Sequence, residues 1–399
     1  MASKKLTQYL NLKFLRYIAV LIVIFILGWL LGSGRLNLNQ VSGKNSSLPN
    51  NLNYSTINQV YQDVKSEYDG KLTTSQILDG LKNGLVQATG DPYTEYFNPS
   101  QAQDFNSELD GSFSGIGAEL GDQNNNLVVI APLAETPAAK AGLQAKDIIT
   151  AINGKSTTGV SIDQAVDDIR GPSGTQVTLS IDRNGTALTF KITRANITVP
   201  SVTSSVINGN IGYMSISQFS TDTSSLAQTA AQTFKKDNVK GVILDLRNDP
   251  GGLVTAAVNV SSLWVPGNDL IMQEKRGNTV IQTYMSTGND ILHGIPTVVL
   301  INAGSASASE ITAGALHDNK AAYLIGETSF GKGSVQEINN LSGGGELKVT
   351  IAHWYRPDGK NINHIGITPD KTVAEPASST GSGSDPQEQA AIQYLDGSP

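Results

Sequence analysis

Hydrophobic positions change their spacing several times along this chain. From Tyr17 to Gly34 they run together without a charge (YIAVLIVIFILGWLLGSG), 18 residues that reach the length of a membrane-crossing helix. From about 53 to 110 they recur every three to four positions, as at Val60, Val64, Ile77, Leu81 and Leu85, which predicts amphipathic helices. The segment DPYTEYF (91–97) closes that stretch with a helix breaker. From about 112 to 196 short strand-like runs follow, among them LVVIAPL (127–133) and the pair 175–192 turning at Asn184-Gly185. A helix over 161–169 stops at Gly171, and Asn153-Gly154 predicts a second turn. From about 203 to 370 strands and helices alternate. GVILDLR (241–247) and TVVLINA (297–303) are continuous apolar runs, as buried strands require, and each leads through a small-residue turn into a helical pattern. Sites in such α/β folds gather at the carboxyl ends of the strands.

Charge orients the first run. Lys4, Lys5, Lys13 and Arg16 precede it, which puts residues 1–16 in the cytoplasm and the chain after 34 outside. The apolar stretch is long for a signal peptide and lacks a small-x-small cleavage site, so an uncleaved anchor is expected at 17–34. Residues 35–52, rich in Ser, Gly and Asn, read as a linker, and 377–399 as a flexible tail. A net charge of −7 argues against a nucleic-acid partner. The absence of cysteine excludes disulfides, Cys-based zinc sites and thiol catalysis, and four histidines leave little for a metal site.

Three segments carry candidate chemistry. In GSASASE (304–310) a serine sits between a buried strand and a helix N-terminus, where free N–H groups favour developing negative charge. Ser307-x-x-Glu310 is equally a capping box, and on this segment alone the two readings stand level. In TSFGKGSVQEI (328–338) Lys332 lies between two glycines, and a strand from Ser334 onward places Lys332, Ser334 and Gln336 on one face. The spacing of a phosphate loop is missing there, and an exposed surface turn is the plain alternative. In LRNDPGGL (246–253) Gly251 and Gly252 leave backbone N–H groups unshielded; an ordinary strand-to-helix turn is again the alternative.

Together, in order and spacing, these segments resemble the C-terminal processing peptidases, also called tail-specific proteases, over about residues 55–370. The resemblance implies that Ser307 is the nucleophile, Lys332 its general base and Gln336 the residue that holds the lysine. It implies an oxyanion hole from the backbone N–H groups of Gly252 and Ala308, with no metal and no cofactor. Asp318 matches an acidic position read as structural support. Asp249 stands where the family often has Asn, a small departure that does not touch a proposed catalytic group. A Ser–His arrangement is the rival within the enzyme class: His317 follows Ser307 by ten positions, about 15 Å along a helix, while His293 and His353 stay open.

GSFSGIGAEL (111–120) resembles the carboxylate-binding loop of PDZ domains, with Gly115, Ile116, Gly117 and Ala118 presenting N–H groups to a peptide C-terminus that adds as a strand. Arg170 matches a position that in some family members couples the liganded PDZ domain to the active site. The expected fold is multidomain α/β behind a single transmembrane helix. A PDZ-like β-barrel domain (112–196) interrupts a crotonase-like α/β protease core formed by 53–111, with its helical segment, and 197–376. The expected activity is that of a serine endopeptidase anchored in the cell membrane, its catalytic part extracytoplasmic, acting near the C-termini of extracytoplasmic proteins. The family likeness adds a homodimer through 53–90 and an adaptor or activator protein. Two readings from other classes are a non-catalytic, membrane-anchored PDZ scaffold and a crotonase-like acyl-CoA enzyme; the first does not need Lys332, Gln336 and the SASAS turn together, and the second leaves the anchor and PDZ segment unexplained.

Overall fold

In the computed structural model, which describes residues 53–123, 126–133, 135–374 and 385–397, the first helical periods become helices α1 (Ser55–Glu67) and α2 (Thr74–Gln87). Residues up to Gln76 form one unit and those from Ile77 another. On α1 the apolar residues Ile57, Val60 and Val64 remain exposed. The expected anchor at 17–34 lies outside the described residues, as do 1–16, the linker 35–52 and residues 377–384. Among the described residues no helix is long and apolar enough to cross a membrane.

In the second unit the helical stretch ends at Gln87, Gly90 turns the chain at φ 67°, and beyond Pro92 it extends into β1 (Glu95–Phe97). Asn98 then starts α3 (Pro99–Leu109): its side chain accepts from Ser100 N and Gln101 N at 3.0 and 3.1 Å, and Gln101 reaches back to Asn98 N. The next strands are β2 (Ser112–Gly115), β3 (Ala118–Gln123) and β4 (Asn126–Pro132). Helix α4 (Pro137–Ala141) stops at Gly142, followed by β5 (Ile148–Ile152), β6 (Lys155–Ser156) and α5 (Ile162–Ile169). Then come β7 (Gln176–Arg183), β8 (Thr186–Thr193) and β9 (Ala195–Thr198). Both predicted Asn-Gly turns have positive φ at each central residue, as tight hairpins need. The sheet runs β3-β4-β5-β7-β8, with β3 at its edge and α5 beside it. Its core gathers Val129, Leu143, Ile149, Ile169, Leu179 and Ile181. Strands β2 and β9 pair with each other, Ser112 opposite Thr198, so the chain enters and leaves this domain through one two-stranded neck.

The remainder is β10 (Val202–Ile207), β11 (Ile211–Ile216), α6 (Thr223–Lys236), β12 (Gly241–Asp245) and α7 (Val254–Ser261), then β13 (Leu270–Arg276), β14 (Thr279–Met285) and β15 (Thr297–Ile301). After these follow α8 (Ala308–Asp318), β16 (Tyr323–Gly326), β17 (Ser334–Asn340), β18 (Glu346–Tyr355), β19 (Lys371–Thr372) and α9 (Pro386–Leu395). The main sheet has the order β10-β11-β12-β15-β16-β19, parallel from β11 onward. Val242, Leu244, Val299 and Ile301 face a core shared with residues of α6, α7 and α8; Ile243, Val298, Leu300 and Ile325 face the other way.

That second face corrects the reading of 377–399 as a flexible tail. Helix α9 lays Ala390 and Ala391 against it. Asp385 caps the helix through Gln387 N and Glu388 N, and Tyr394 stacks on Tyr323 at 4.3 Å. Strands apolar on both faces need cover on both, and these residues supply it. A smaller sheet centres on the long β18, flanked by β17 on one side and by β1 and β13 on the other.

Candidate active site

The three segments singled out by chemistry all leave the carboxyl ends of parallel strands: LRNDPGGL after β12, GSASASE after β15 and SFGKG after β16. Ser307 precedes α8 with φ 54° and ψ −112°. A non-glycine residue held there costs about 1–3 kcal/mol and persists only where its surroundings enforce it. Those surroundings are specific. Ser305 Oγ donates to Leu246 O (2.7 Å), Ala306 N to Asp249 O (3.0 Å) and Ser309 Oγ to Asp249 O (2.9 Å). The nucleophile turn is thereby fastened on both sides to the Gly-rich turn after β12. Asp249 therefore touches Ala306 and Ser309, on either side of Ser307.

Glycine is required at two positions of that turn. A Cβ at Gly251 would lie 2.5 Å from Ala306 O and 2.8 Å from the Ser307 Cβ, and one at Gly252 would lie 2.2 Å from Phe219 O. Gly251 N is consumed by Asp249 Oδ1 at 2.8 Å. Among the described residues the N–H groups of Gly252 and Ala308 donate to no acceptor.

Glu310 binds the segments together. Its Oε2 accepts from Ser307 N (2.9 Å) and from Lys332 N (2.9 Å), and its Oε1 from Gly331 N (2.7 Å) and Ser329 Oγ (2.5 Å). The Glu310 side of the expected capping box thus forms, but the carboxylate serves the lysine loop as well. Glu310 is fully buried, and burial pushes its carboxyl above the ordinary range against these four donors.

Lys332 is half-buried. Burial, then the Lys348 charge, holds its amine below the usual lysine value, opposed by Glu95, Asp91 and Glu310. Its Nζ lies 4.9 Å from the centroid of the Tyr93 ring. Among the described residues no hydrogen bond joins Lys332 Nζ to Ser307 Oγ or to Gln336. Gln336 Nε2 instead donates to Ser334 Oγ (3.0 Å) and Thr350 Oγ1 (3.2 Å). Gln336 and Ser334 share a face, as their alternation predicts, with a bulge between Val335 and Gln336.

No histidine among the described residues hydrogen-bonds to Ser307. His317 bridges toward Asp318 and Asp370, and His293 Nδ1 contacts Trp264 O at 3.1 Å. Asp318 accepts from Arg356 Nη2 and Nε and from Asp358 N, a structural role. Sequence reasoning missed Tyr93. The segment DPYTEYF registered as a helix breaker and as part of the family likeness, with no role for its side chains, although Tyr93, Asp91 and Glu95 all face the Lys332 amine.

In the inserted domain, Gly117 has φ 75° and its carbonyl accepts from Leu133 N and Thr136 Oγ1. Gly115 pairs within the neck and Ala118 opens β3. The N–H groups of Ile116 and Gly117 meet no acceptor among the described residues. They stand at the start of the free edge of β3, beside α5. Arg170, directly after α5, pairs with Glu108 of α3 at 3.2 Å and lies 5.3 Å from the Phe113 ring centroid.

The comparisons with known proteins match these parts. Residues 210–373 match the model of peptidase family S41 and residues 105–182 that of the PDZ domain. The chain is 36% identical over 332 residues to the carboxy-terminal processing protease CtpA of Bacillus subtilis, covering 83% of this chain and 71% of that one. The chain belongs to the carboxy-terminal processing proteases. It is also 36% identical to the carboxy-terminal-processing protease of Bartonella bacilliformis, over 89% of this chain and 83% of that one. Among solved structures it resembles the photosystem II D1 C-terminal processing protease, at 31% identity and a TM-score of 0.52, covering 80% of this chain and 87% of the other. This member of the family is thus a serine-type peptidase, a hydrolase, with a PDZ domain and an S41 core in a multidomain α/β fold.

Proposed function

We propose that this protease cleaves near the C-termini of extracytoplasmic proteins through a Ser307–Lys332 dyad, from an anchor at residues 17–34. One observation carries the dyad: Ser307 and Lys332, from loops after different strands, are fastened by their backbones to the same oxygen of Glu310. An unperturbed lysine is nearly all protonated at neutral pH and is a poor base. Burial lowers that barrier. Neutral Lys332 takes the Ser307 proton as Oγ attacks the scissile carbonyl, and the oxyanion settles on the N–H groups of Gly252 and Ala308. Lys332 then protonates the leaving amine, and water hydrolyses the acyl-enzyme. Gln336, two positions along from Ser334, steadies the amine once Lys332 has swung toward Ser307.

The PDZ groove selects the substrate. A peptide C-terminus adds along the edge of β3 with its carboxylate on the N–H groups at Ile116, Gly117 and Ala118. Its binding favours an active arrangement over the resting one by its differential affinity for the two, and Arg170 leaves Glu108 in that step. The exposed apolar residues of α1 support pairing of two chains through 53–90, and an adaptor protein is a further partner of this reading.

The test uses the full chain. Ser307→Ala and Lys332→Ala are each expected to abolish cleavage of an unstructured protein while thermal unfolding stays near the parent's. Turnover at the parent rate in either variant would remove the dyad. Intact substrate with measurable peptide binding by the parent chain would favour a scaffold instead. Reporter fusions on either side of residues 17–34 check the anchor and its orientation.

A further inference from the structure

Lys332 is the proposed base, yet its amine rests on an aromatic ring. Nζ lies 4.9 Å from the Tyr93 centroid, inside the roughly 6 Å over which a ring face attracts a cation. That attraction acts on the ammonium form. A neutral amine, the form a base needs, feels much less of it.

The backbone that carries the ring is held on both sides. The Asp91 carboxylate accepts from Tyr93 N at 3.1 Å and from Thr94 Oγ1 at 2.5 Å. Burial works against that carboxylate's charge, but hydrogen bonds from Thr350, Thr94 and the Tyr93 N–H, with the His353 charge, hold Asp91 below the ordinary range. Thr350 N donates to Thr94 Oγ1 at 3.1 Å, and β1 continues from Thr94 into register with β18. Tyr93 therefore belongs to the same sheet wall as Gln336 and Thr350. The other charges facing the amine are Asp91 and Glu95 on the β1 side, Lys348 on β18 and Glu310 on α8. Lys348 is itself paired with Glu95.

We propose that Tyr93 is a positioning residue that parks the ammonium form of Lys332 on its ring, off Ser307. This rests on the reading of Lys332 as base. Release requires the ammonium to give a proton to solvent. The neutral amine then leaves the ring and accepts the Ser307 proton. Tyr93 thus sets how much alkalinity, or how much help from bound substrate, the enzyme needs before it turns over.

The experiment follows two readouts in the full chain: the pH dependence of kcat/KM on an unstructured protein, and the pH dependence of Lys332 acylation by an amine-reactive reagent, read by mass spectrometry. Removing the ring in Tyr93→Leu is expected to move both midpoints down by about half a pH unit. Below the midpoint kcat/KM then rises about three-fold. Tyr93→Phe, which keeps the ring face, is expected to hold the labelling midpoint within about 0.2 units of the parent, since the ring accounts for the shift. Tyr93→Met repeats the ring removal with a flexible apolar side chain, should the leucine variant not fold. Unchanged labelling midpoints in the ringless variants, or a shift in Tyr93→Phe as large as theirs, overturn the proposal. The labelling midpoint reports on the ring even if Lys332→Ala keeps full turnover, so failure of the base assignment and failure of the parking role remain separate results.

Discussion

Ser307 and Lys332 donate their backbone N–H groups to one oxygen, Glu310 Oε2, each at 2.9 Å. One carboxylate therefore ties the two loops together, alongside the direct bond from Phe330 N to Ser305 O at 3.0 Å. Glu310→Ala would strand three N–H donors and the Ser329 hydroxyl in a buried site. Each buried donor left unmet costs about 1–3 kcal/mol, partly relieved by entering water. We expect a loss of about 3–5 kcal/mol in urea denaturation and near-complete loss of turnover. A variant within about 1 kcal/mol of the parent would show that the anchor is dispensable.

Asp249 predicts a pH-dependent stability. Its carboxyl is fully buried, Oδ2 has no hydrogen-bond partner, and burial pushes it up to about 7. An acid whose value is raised on folding binds its proton more tightly in the native state. Its neutral form costs nothing extra below the unfolded value near 3.8, and stability falls as pH rises from there through about 7. Asp249→Asn keeps the shape and removes the titration. The stability of the variant minus that of the parent should grow between these limits, by at most about 4 kcal/mol. A difference flat with pH in denaturation curves would contradict this.

Gly251 abuts the nucleophile. A methyl group there meets Ala306 O at 2.5 Å, and both turns are held too tightly to yield without moving Ser307. Gly251→Ala is expected to lower kcat/KM by about 100-fold or more, comparable to losing an oxyanion donor. Steady-state kinetics on the folded variant would check it; activity within a few-fold of the parent would count against the close fit.

Truncation before Asp385 should be far from neutral. It would uncover Ile243, Val298, Leu300 and Ile325 and remove Asp385 and Gln387 from Arg247, which they meet at 2.8 and 3.0 Å. Arg247 opens the Gly-rich turn of the site. The shortened chain is expected to unfold at least about 10 °C lower, in line with losing a few kcal/mol of apolar burial. A melting temperature unchanged by the truncation would restore the reading of this region as a tail.

Much of this was legible before folding. The helix Ala308–Asp318 forms where the helical pattern after TVVLINA was expected, because a small-residue turn and a capping pattern are local signals. The turns at Asn153-Gly154 and Asn184-Gly185 are local in the same way. Helix α9 was missed because its polar composition (PQEQAAIQYL) and short length give little periodicity. Its reason for folding lies in the uncovered sheet face, although the two-sided apolar runs of β12 and β15 called for a cover. Tyr93 was missed because nothing in DPYTEYF refers to a lysine 239 positions later (332 − 93).

The sequence by itself determined the list of chemical groups: a serine at a helix start, a lysine between glycines, bare backbone N–H groups after a buried strand, and a peptide-binding loop. These follow from short-range sterics and hydrogen bonding, which a few adjacent residues settle. Only the tertiary structure decided how the groups meet. It brought Ser307 and Lys332 onto one carboxylate and placed Asp249 beside the nucleophile turn. It also left the lysine amine on the Tyr93 ring and not on Ser307. Those relations depend on side chains packed across distant strands, where burial and a shared acceptor set both position and charge.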